Sequence, residues 1–227
     1  MRRPSFLRPA TSPTAELYAR ASVAKGNTPW RDARYCVVDL ELSGLDPDID
    51  EIISYAAVPI DDGRVVSGAT LYGLSRPTRP LPEQSILIHG IRTVDLDDAP
   101  LVDDALPPLL SAMTGRILVV HVAWVERSFL GRALGRQGIR LREPVLDTYE
   151  MGQLLARLRN EPTAPRSLDE LARNLGLPVH QQHHARGDAL TTAQVFLALA
   201  THLEEFTSGT VQSLARAKQR AGSHPLT

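Results

Sequence analysis

Residues 35–41, Tyr-Cys-Val-Val-Asp-Leu-Glu, place the tightest constraint on how this chain folds. The run is rich in β-formers and is followed by Ser43-Gly44 and Asp46-Pro47, which predicts a strand ended by a turn. Side chains alternate along a strand, so Asp39 and Glu41 leave the same face of the sheet. Val37, Val38 and Leu40 around them call for burial. Two carboxylates so placed repel each other, and loss of water adds to the cost. A shared proton, a basic partner or a bound cation must offset the pair, unless the strand is an edge with both acids in water.

The elements around that strand define a fold class. Glu51–Ile60 and Arg64–Leu74 read as two more strands, joined by the turn Asp61-Asp62-Gly63 into a hairpin. Val102–Met113 reads as a helix that Pro107-Pro108 should kink or delay. Arg116–His121 is a short, nearly all-apolar strand of the kind buried on both faces, and Trp124–Arg136 has helical spacing. Ser167-Leu-Asp-Glu170 is a capping box, opening a helix that Gly176 closes. Ala189, Ala193, Phe196, Leu197, Ala200 and Leu203 repeat at three or four residues, which predicts a long helix from near Gly187. Ala15–Ala24 suits a short helix. Three strands, then alternation, then helices give an α/β fold, a mixed sheet flanked by helices.

The chain has 227 residues, 43% apolar, enough to fill the core of one domain. A lone Cys36 excludes an internal disulfide framework and a Cys-rich zinc site. The longest apolar run, Ile117–Val120 with Val122–Val125 beyond it, falls far short of the roughly 18–20 residues of a membrane span. Residues 1–15 lack the apolar stretch of about 7–15 residues that a secretory signal needs, so a cytoplasmic setting with no membrane partner is expected. Residues 1–34 carry seven basic and two acidic side chains, and residues 207–227 three basic and none acidic. The net charge of −1 therefore leaves −9 on residues 35–206. An acidic body suits cations, and basic flanks suit polyanions. The expected organisation is a basic extension over 1–33, a domain over 34–206 and a basic tail over 207–227. Gln194–Leu199 superficially resembles a clamp-binding peptide, but its apolar residues fall on the buried face of the long helix.

Two further groups carry chemistry. Asp188 falls at the start of the long helix, where the helix dipole favours an anion, and His183 lies in the loop before it. Glu126 lies one turn into the helix entered from the buried strand. Each alone has a structural alternative: Asp188 as a helix N-cap, Glu126 as a surface acid. Phosphate-cradling glycine loops and a nucleophile elbow are absent from the sequence.

Taken together, Asp39-Leu-Glu41-Leu-Ser-Gly44, His89-Gly90-Ile91, Arg116–Glu126, Pro144–Thr148, Ser167–Leu177 and His183-His-Ala-Arg-Gly-Asp188 stand in the order of a known family. Over residues 34–205 the chain resembles the DEDDh (DnaQ-like) 3′–5′ exonucleases, which include polymerase proofreading subunits, RNase T and oligoribonuclease. The resemblance implies an RNase H-like α/β fold and a two-metal hydrolase acting on the 3′ ends of single-stranded or frayed nucleic acid, DNA favoured over RNA. Asp39, Glu41, Glu126 and Asp188 then match the ligands of two divalent ions, Mg²⁺ or Mn²⁺, held about 3.5–4 Å apart. His183 matches the general base. Ser43 and Gly44 match backbone contacts to the terminal nucleotide, with Leu42, Leu45 and His89 packing on its base or sugar. Asp147 and His121 match supporting positions. Proofreading by such a chain calls for a DNA polymerase partner, and the pairing of some relatives through this domain leaves a homodimer open.

The second motif departs from the family form, His-Asn-x-x-x-Asp. Here it reads His121-Val122-Ala-Trp-Val-Glu126, one methylene longer at the acid and without the Asn. That departure carries the competing expectation: a weakened or inactive exonuclease-fold module that binds nucleic acid or a polymerase. A metal-dependent phosphoesterase of another kind would share the acids, but His-x4-Asp and His89-Gly90-Ile91 favour the exonuclease.

Overall fold

The computed structural model describes residues 12–216; the expectations for residues 1–11 and 217–227 lie outside them. In chain order the elements are α1 (Pro13–Arg20), β1 (Tyr35–Leu42), β2 (Ile52–Asp61), β3 (Arg64–Val65), β4 (Leu71–Leu74), α2 (Glu83–His89), α3 (Val102–Met113), β5 (Ile117–Val120), α4 (Trp124–Arg136), β6 (Val145–Asp147), α5 (Thr148–Arg159), α6 (Leu168–Asn174), α7 (Ala185–Glu204) and α8 (Val211–Ala215). The sheet runs β3-β2-β1-β5-β6, with β4 also paired to β2. β1 and β2 are antiparallel, whereas β1–β5 and β5–β6 are parallel. The expected mixed sheet flanked by helices is therefore the observed architecture. Among the described residues, no helix is long and apolar enough to cross a membrane.

The alternation in β1 sorts the core into two layers. Tyr35 and Val37 join Met151, Leu154, Leu171 and the inner face of α7 on one side of the sheet. Cys36, Val38, Leu40 and Leu42 join α1, α3 and α4 on the other. With a period of two, Asp39 and Glu41 continue the Tyr35–Val37 row and face α7. Ala185, Ala189 and Ala193 are fully buried, and their small side chains let α7 lie close to the sheet.

Four local expectations are corrected. Pro107 and Pro108 do not delay the start of α3 but sit inside it. Pro107 has no N–H for the carbonyl of Asp103, and Gln137 Nε2 donates to that carbonyl instead at 2.9 Å. The second hairpin strand is split by a short 3₁₀ turn at Ser67–Ala69 into β3 and β4, both on the outer edge of β2. At Ser167 the capping box does not form, because the hydroxyl makes no backbone cap bond. The long helix starts at Ala185, two residues before Gly187, because His184 caps it.

The described parts of both expected extensions belong to the same packed body. Ala15 and Tyr18 of α1 are buried, and the Tyr18 hydroxyl accepts from the Arg142 amide at 3.1 Å. Trp30 is 2% exposed and meets Phe196 edge-on, ring centroids 6.3 Å apart. The Trp30 amide donates to Gly209 O at 2.9 Å and the Val211 amide to Thr28 O at 3.0 Å, tying the two flanks together.

Candidate active site

The site forms where β1 ends beneath the N-terminus of α7. A register shift between Glu41 and Leu42 interrupts the β1–β2 ladder at that point, and such bulges re-aim neighbouring side chains. Asp39, Glu41 and Asp188 converge there, each offering an oxygen within 4.8 Å of the others. Asp39, His121, His183 and Asp188 line one cavity of about 270 Å³, with Ser167, Leu168, Asp169 and Gln182 completing its wall. Sequence reading had not assigned Asp169 to the site. Its carboxylate is engaged by Arg173 at 2.5 Å and held below its usual range, first by the Ser167 hydroxyl and then by that guanidinium.

The remaining carboxylates are the opposite of solvated surface acids. Burial, followed by repulsion from Glu126, Glu41 and Asp188, holds the Asp39 carboxyl well above the carboxylate range. Burial and then Asp188 push Glu41 up to about 7. Asp188 is also raised by burial, against the opposing effect of the His183 N–H. Glu126 is 3% exposed, and burial followed by Asp147 raises it to about 8. Its Oε2 is buried without a hydrogen-bond partner. Glu126 thus adjoins Asp39 electrostatically but stands outside the trio that shares the 4.8 Å separation.

These groups fit divalent metal. Mg²⁺ and Mn²⁺ take carboxylate oxygens, and a cation would relieve both the mutual repulsion and the orphaned Glu126 oxygen. Asp39, Glu41 and Asp188 could hold one ion, with Glu126 and Asp39 facing a second.

The segment around β5 and α4 is held by Asp147. Its Oδ1 accepts from the Val122 and Tyr149 amides at 3.1 and 2.9 Å, and its Oδ2 from Ala123 at 2.8 Å. Val122 has φ = 64°, a left-handed conformation that a β-branched residue adopts only when its surroundings impose it. Asp147 therefore clamps the turn that carries His121 and aims α4. His121 is fixed by contacts of Nδ1 to Thr148 Oγ1 at 2.9 Å and of Nε2 to Arg166 O at 2.8 Å. Burial holds its pKa below the ordinary imidazole value.

His183 is exposed at the cavity mouth, in the left-handed region at φ = 54°, with its amide donating to Asp188 Oδ2 at 2.9 Å. Gly187 makes this turn compact, since a Cβ there would lie 2.1 Å from Gln181 O. The other matched positions differ in what they leave open. Ser43 is consumed within its loop: its amide donates to Glu51 O, while its hydroxyl meets Asp50 Oδ1 and accepts from the Glu51 amide. Gly44 is required by Asp50, whose carboxylate would come within 2.4 Å of a Cβ. Leu42 packs in the core layer beneath α3 and α4, whereas Leu45 is 64% exposed. His89 is buried, its Nδ1 accepts from the Ile91 amide at 3.0 Å, and its Nε2 has no partner. Asp50, which orders the whole 43–51 loop, escaped sequence reading because an acid after Asp46-Pro47-Asp48 looks like ordinary loop polarity.

Residues 36–196 match the RNase_T exonuclease family. The DNA polymerase III PolC-type of Thermotoga petrophila is 34% identical over 169 residues, 74% of this chain and 12% of the relative. A DNA polymerase III subunit epsilon-like protein of Rhodobacter capsulatus is 35% identical over 184 residues, 80% of this chain and 26% of the relative. The chain thus spans a small part of these relatives' length. Among solved structures, Exonuclease X in complex with 5′ overhanging duplex DNA superposes with a TM-score of 0.61 at 24% identity, covering 81% of this chain and 98% of that one. Exonuclease I of E. coli in complex with a dT13 oligonucleotide gives 0.66 at 15% identity, covering 76% and 42%. With an acidic cluster on β1 and α7 and the matching sheet, the chain belongs to the RNase T/DnaQ-like exonuclease family, related to the exonuclease domains of DNA polymerase III.

Proposed function

We propose that the chain is a metal-dependent 3′–5′ exonuclease that releases nucleotides from single-stranded or frayed 3′ ends, with DNA favoured over RNA. The convergence of Asp39, Glu41 and Asp188 beside the buried, unpartnered Glu126 carries this reading. So costly an arrangement has no structural purpose that an apolar core would not serve better. Two divalent ions bound by these carboxylates would generate the nucleophile from water and stabilise the leaving oxygen. His183, exposed at the mouth with a backbone fixed through Asp188, takes the proton from that water. His89 and the exposed Leu45 flank the position for the terminal nucleotide. The DNA preference rests on the polymerase III relatives and on the oligonucleotide and duplex DNA held by the two structural neighbours. With −9 on residues 35–206, the net charge of the domain opposes a duplex backbone, which favours short or frayed ends.

The longer Glu126 outside the trio and the strained Val122 favour a second reading, an exonuclease-fold module that binds nucleic acid without cutting it. One assay separates the two. 5′-labelled single-stranded DNA and RNA of equal sequence are incubated with Mg²⁺ or Mn²⁺, with Asp188→Ala as control. A ladder that shortens from the 3′ end, needs metal and is absent in the control is expected, faster on DNA. No cleavage of either polymer by the folded protein would replace the enzyme with the binding module.

A further inference from the structure

Asp39, Ala56 and Tyr72 lie opposite one another across β1, β2 and β4, so their side chains share the face that carries the acids. The small Ala56 leaves the floor between Asp39 and Tyr72 low, and Tyr72 stands at the rim, 37% exposed. Its ring stacks on that of His184, centroids 4.8 Å apart and planes inclined by 21°. His184 is the immediate neighbour of His183, and it also caps α7, its Nδ1 accepting from the Arg186 amide at 3.2 Å. One face of the His184 ring is thus held by the sheet and one edge by the helix. Elsewhere the α6–α7 loop is tied to α7 itself, by His180 N to Thr191 Oγ1 at 3.0 Å, His180 Nε2 to Gln194 Oε1 at 3.2 Å and His183 N to Asp188 Oδ2 at 2.9 Å. Among the described residues, the Tyr72–His184 stack is the aromatic contact that joins this loop to the sheet.

We propose that Tyr72 is a positioning residue for His183, acting as a latch through its stack on His184. This rests on the reading of His183 as general base and names what holds it in place. A general base must stay within hydrogen-bond reach of the water it deprotonates, and an exposed loop in a left-handed turn opens readily unless it is pinned. An aromatic stack shifts such an opening equilibrium by a few-fold to about tenfold.

The test uses the full chain with Tyr72→Ala and Tyr72→Phe. Hydrogen exchange without metal reads the latch directly. Amides of residues 181–185 should exchange about 3–10-fold faster in Tyr72→Ala and at the wild-type rate in Tyr72→Phe, which keeps the ring. In the nuclease assay Tyr72→Ala should lower kcat with KM held within about twofold, and Tyr72→Phe should restore kcat. A raised KM with unchanged kcat would overturn the proposal and make Tyr72 a substrate platform. Unchanged exchange in Tyr72→Ala would overturn it outright. If the wild-type chain cleaves neither DNA nor RNA, the general-base reading falls, and the exchange rates alone decide whether the stack latches the loop.

Discussion

Replacing Glu126 by Gln should stabilise the metal-free protein, by an amount that grows with pH. The carboxyl is 3% exposed, one of its oxygens has no partner, and burial raises its pKa from 4.5 to about 8. The folded chain therefore holds this proton more tightly than the unfolded chain does, so stability falls as pH rises. The contribution is fully present below pH 4.5 and is lost progressively up to about pH 8. At about 1.4 kcal/mol per pH unit, the loss reaches roughly 3 kcal/mol at pH 7 and about 1 kcal/mol at pH 5. Gln has nearly the same shape and no proton to lose. Its removal of the repulsion on Asp39 acts in the same direction.

For a domain of this size, about 1 kcal/mol corresponds to roughly 2–4 °C. Thermal melts in EDTA should thus place Glu126→Gln roughly 6–12 °C above wild type at pH 7, with the two approaching each other at pH 5. Saturating Mn²⁺ should reverse the order, because binding to the folded state alone stabilises it and the variant lacks a ligand. Parallel melting curves from pH 5 to 8 would show that Glu126 ionises at an ordinary pKa and would refute the argument. An equal Mn²⁺ shift in both proteins would remove Glu126 from the metal site.

Asp188→Ala and His183→Ala should each abolish metal-dependent cleavage with a melting temperature at or above wild type for Asp188→Ala, since a repelled acid is removed; retained turnover in either would break the site assignment. Trp30→Ala should cost about 3–5 kcal/mol by leaving a cavity against Phe196, and a melt within about 2 °C of wild type would show that residues 12–33 do not belong to the core. Asp147→Ala strands the amides of Val122, Ala123 and Tyr149, for a loss of roughly 3–5 kcal/mol. Adding Val122→Gly to that variant should recover about 1 kcal/mol, because glycine takes the left-handed turn without a clamp. Denaturant titration of the two variants measures the difference, and no recovery would remove Asp147 as the cause of the Val122 conformation.

What could be read in advance follows from range. The period of two in Tyr35–Glu41 fixed the face shared by Asp39 and Glu41, because it needs only the adjacent residues and a buried strand. The same holds for the apolar repeat of α7 and the all-buried β5. Features that depend on a distant partner were not legible. Nothing local shows that Gln137, thirty-four residues from Asp103, takes up the carbonyl that Pro107 leaves unbonded, so the proline pair reads as a kink or a delayed start. Ser167-x-x-Glu170 has the spacing of a capping box, yet the Ser167 hydroxyl makes no cap bond, and the neighbouring Asp169 pairs with Arg173 instead. The charge count treated residues 12–33 as an appendage because Trp30 is only one aromatic in a polar stretch, and its pocket is built by Phe196 and the 207–211 turn.

The same distinction explains how the second motif departs from the family form while its turn is kept. Read as a sequence, Val122 and Glu126 look like two independent losses, a missing amide and a displaced carboxylate. In the fold they are linked by Asp147. It imposes the left-handed turn on a residue that resists it, and its charge helps keep the neighbouring Glu126 protonated while no cation is bound. The turn's geometry rests on backbone N–H groups and so tolerates a change of side chain at 122, whereas the acid at 126 depends on reach. A cation would bring the two requirements together, since it lowers the cost of ionising Glu126 and draws the longer side chain towards Asp39. The extra methylene therefore matters most in the metal-free protein, where the orphaned oxygen has nothing to bind.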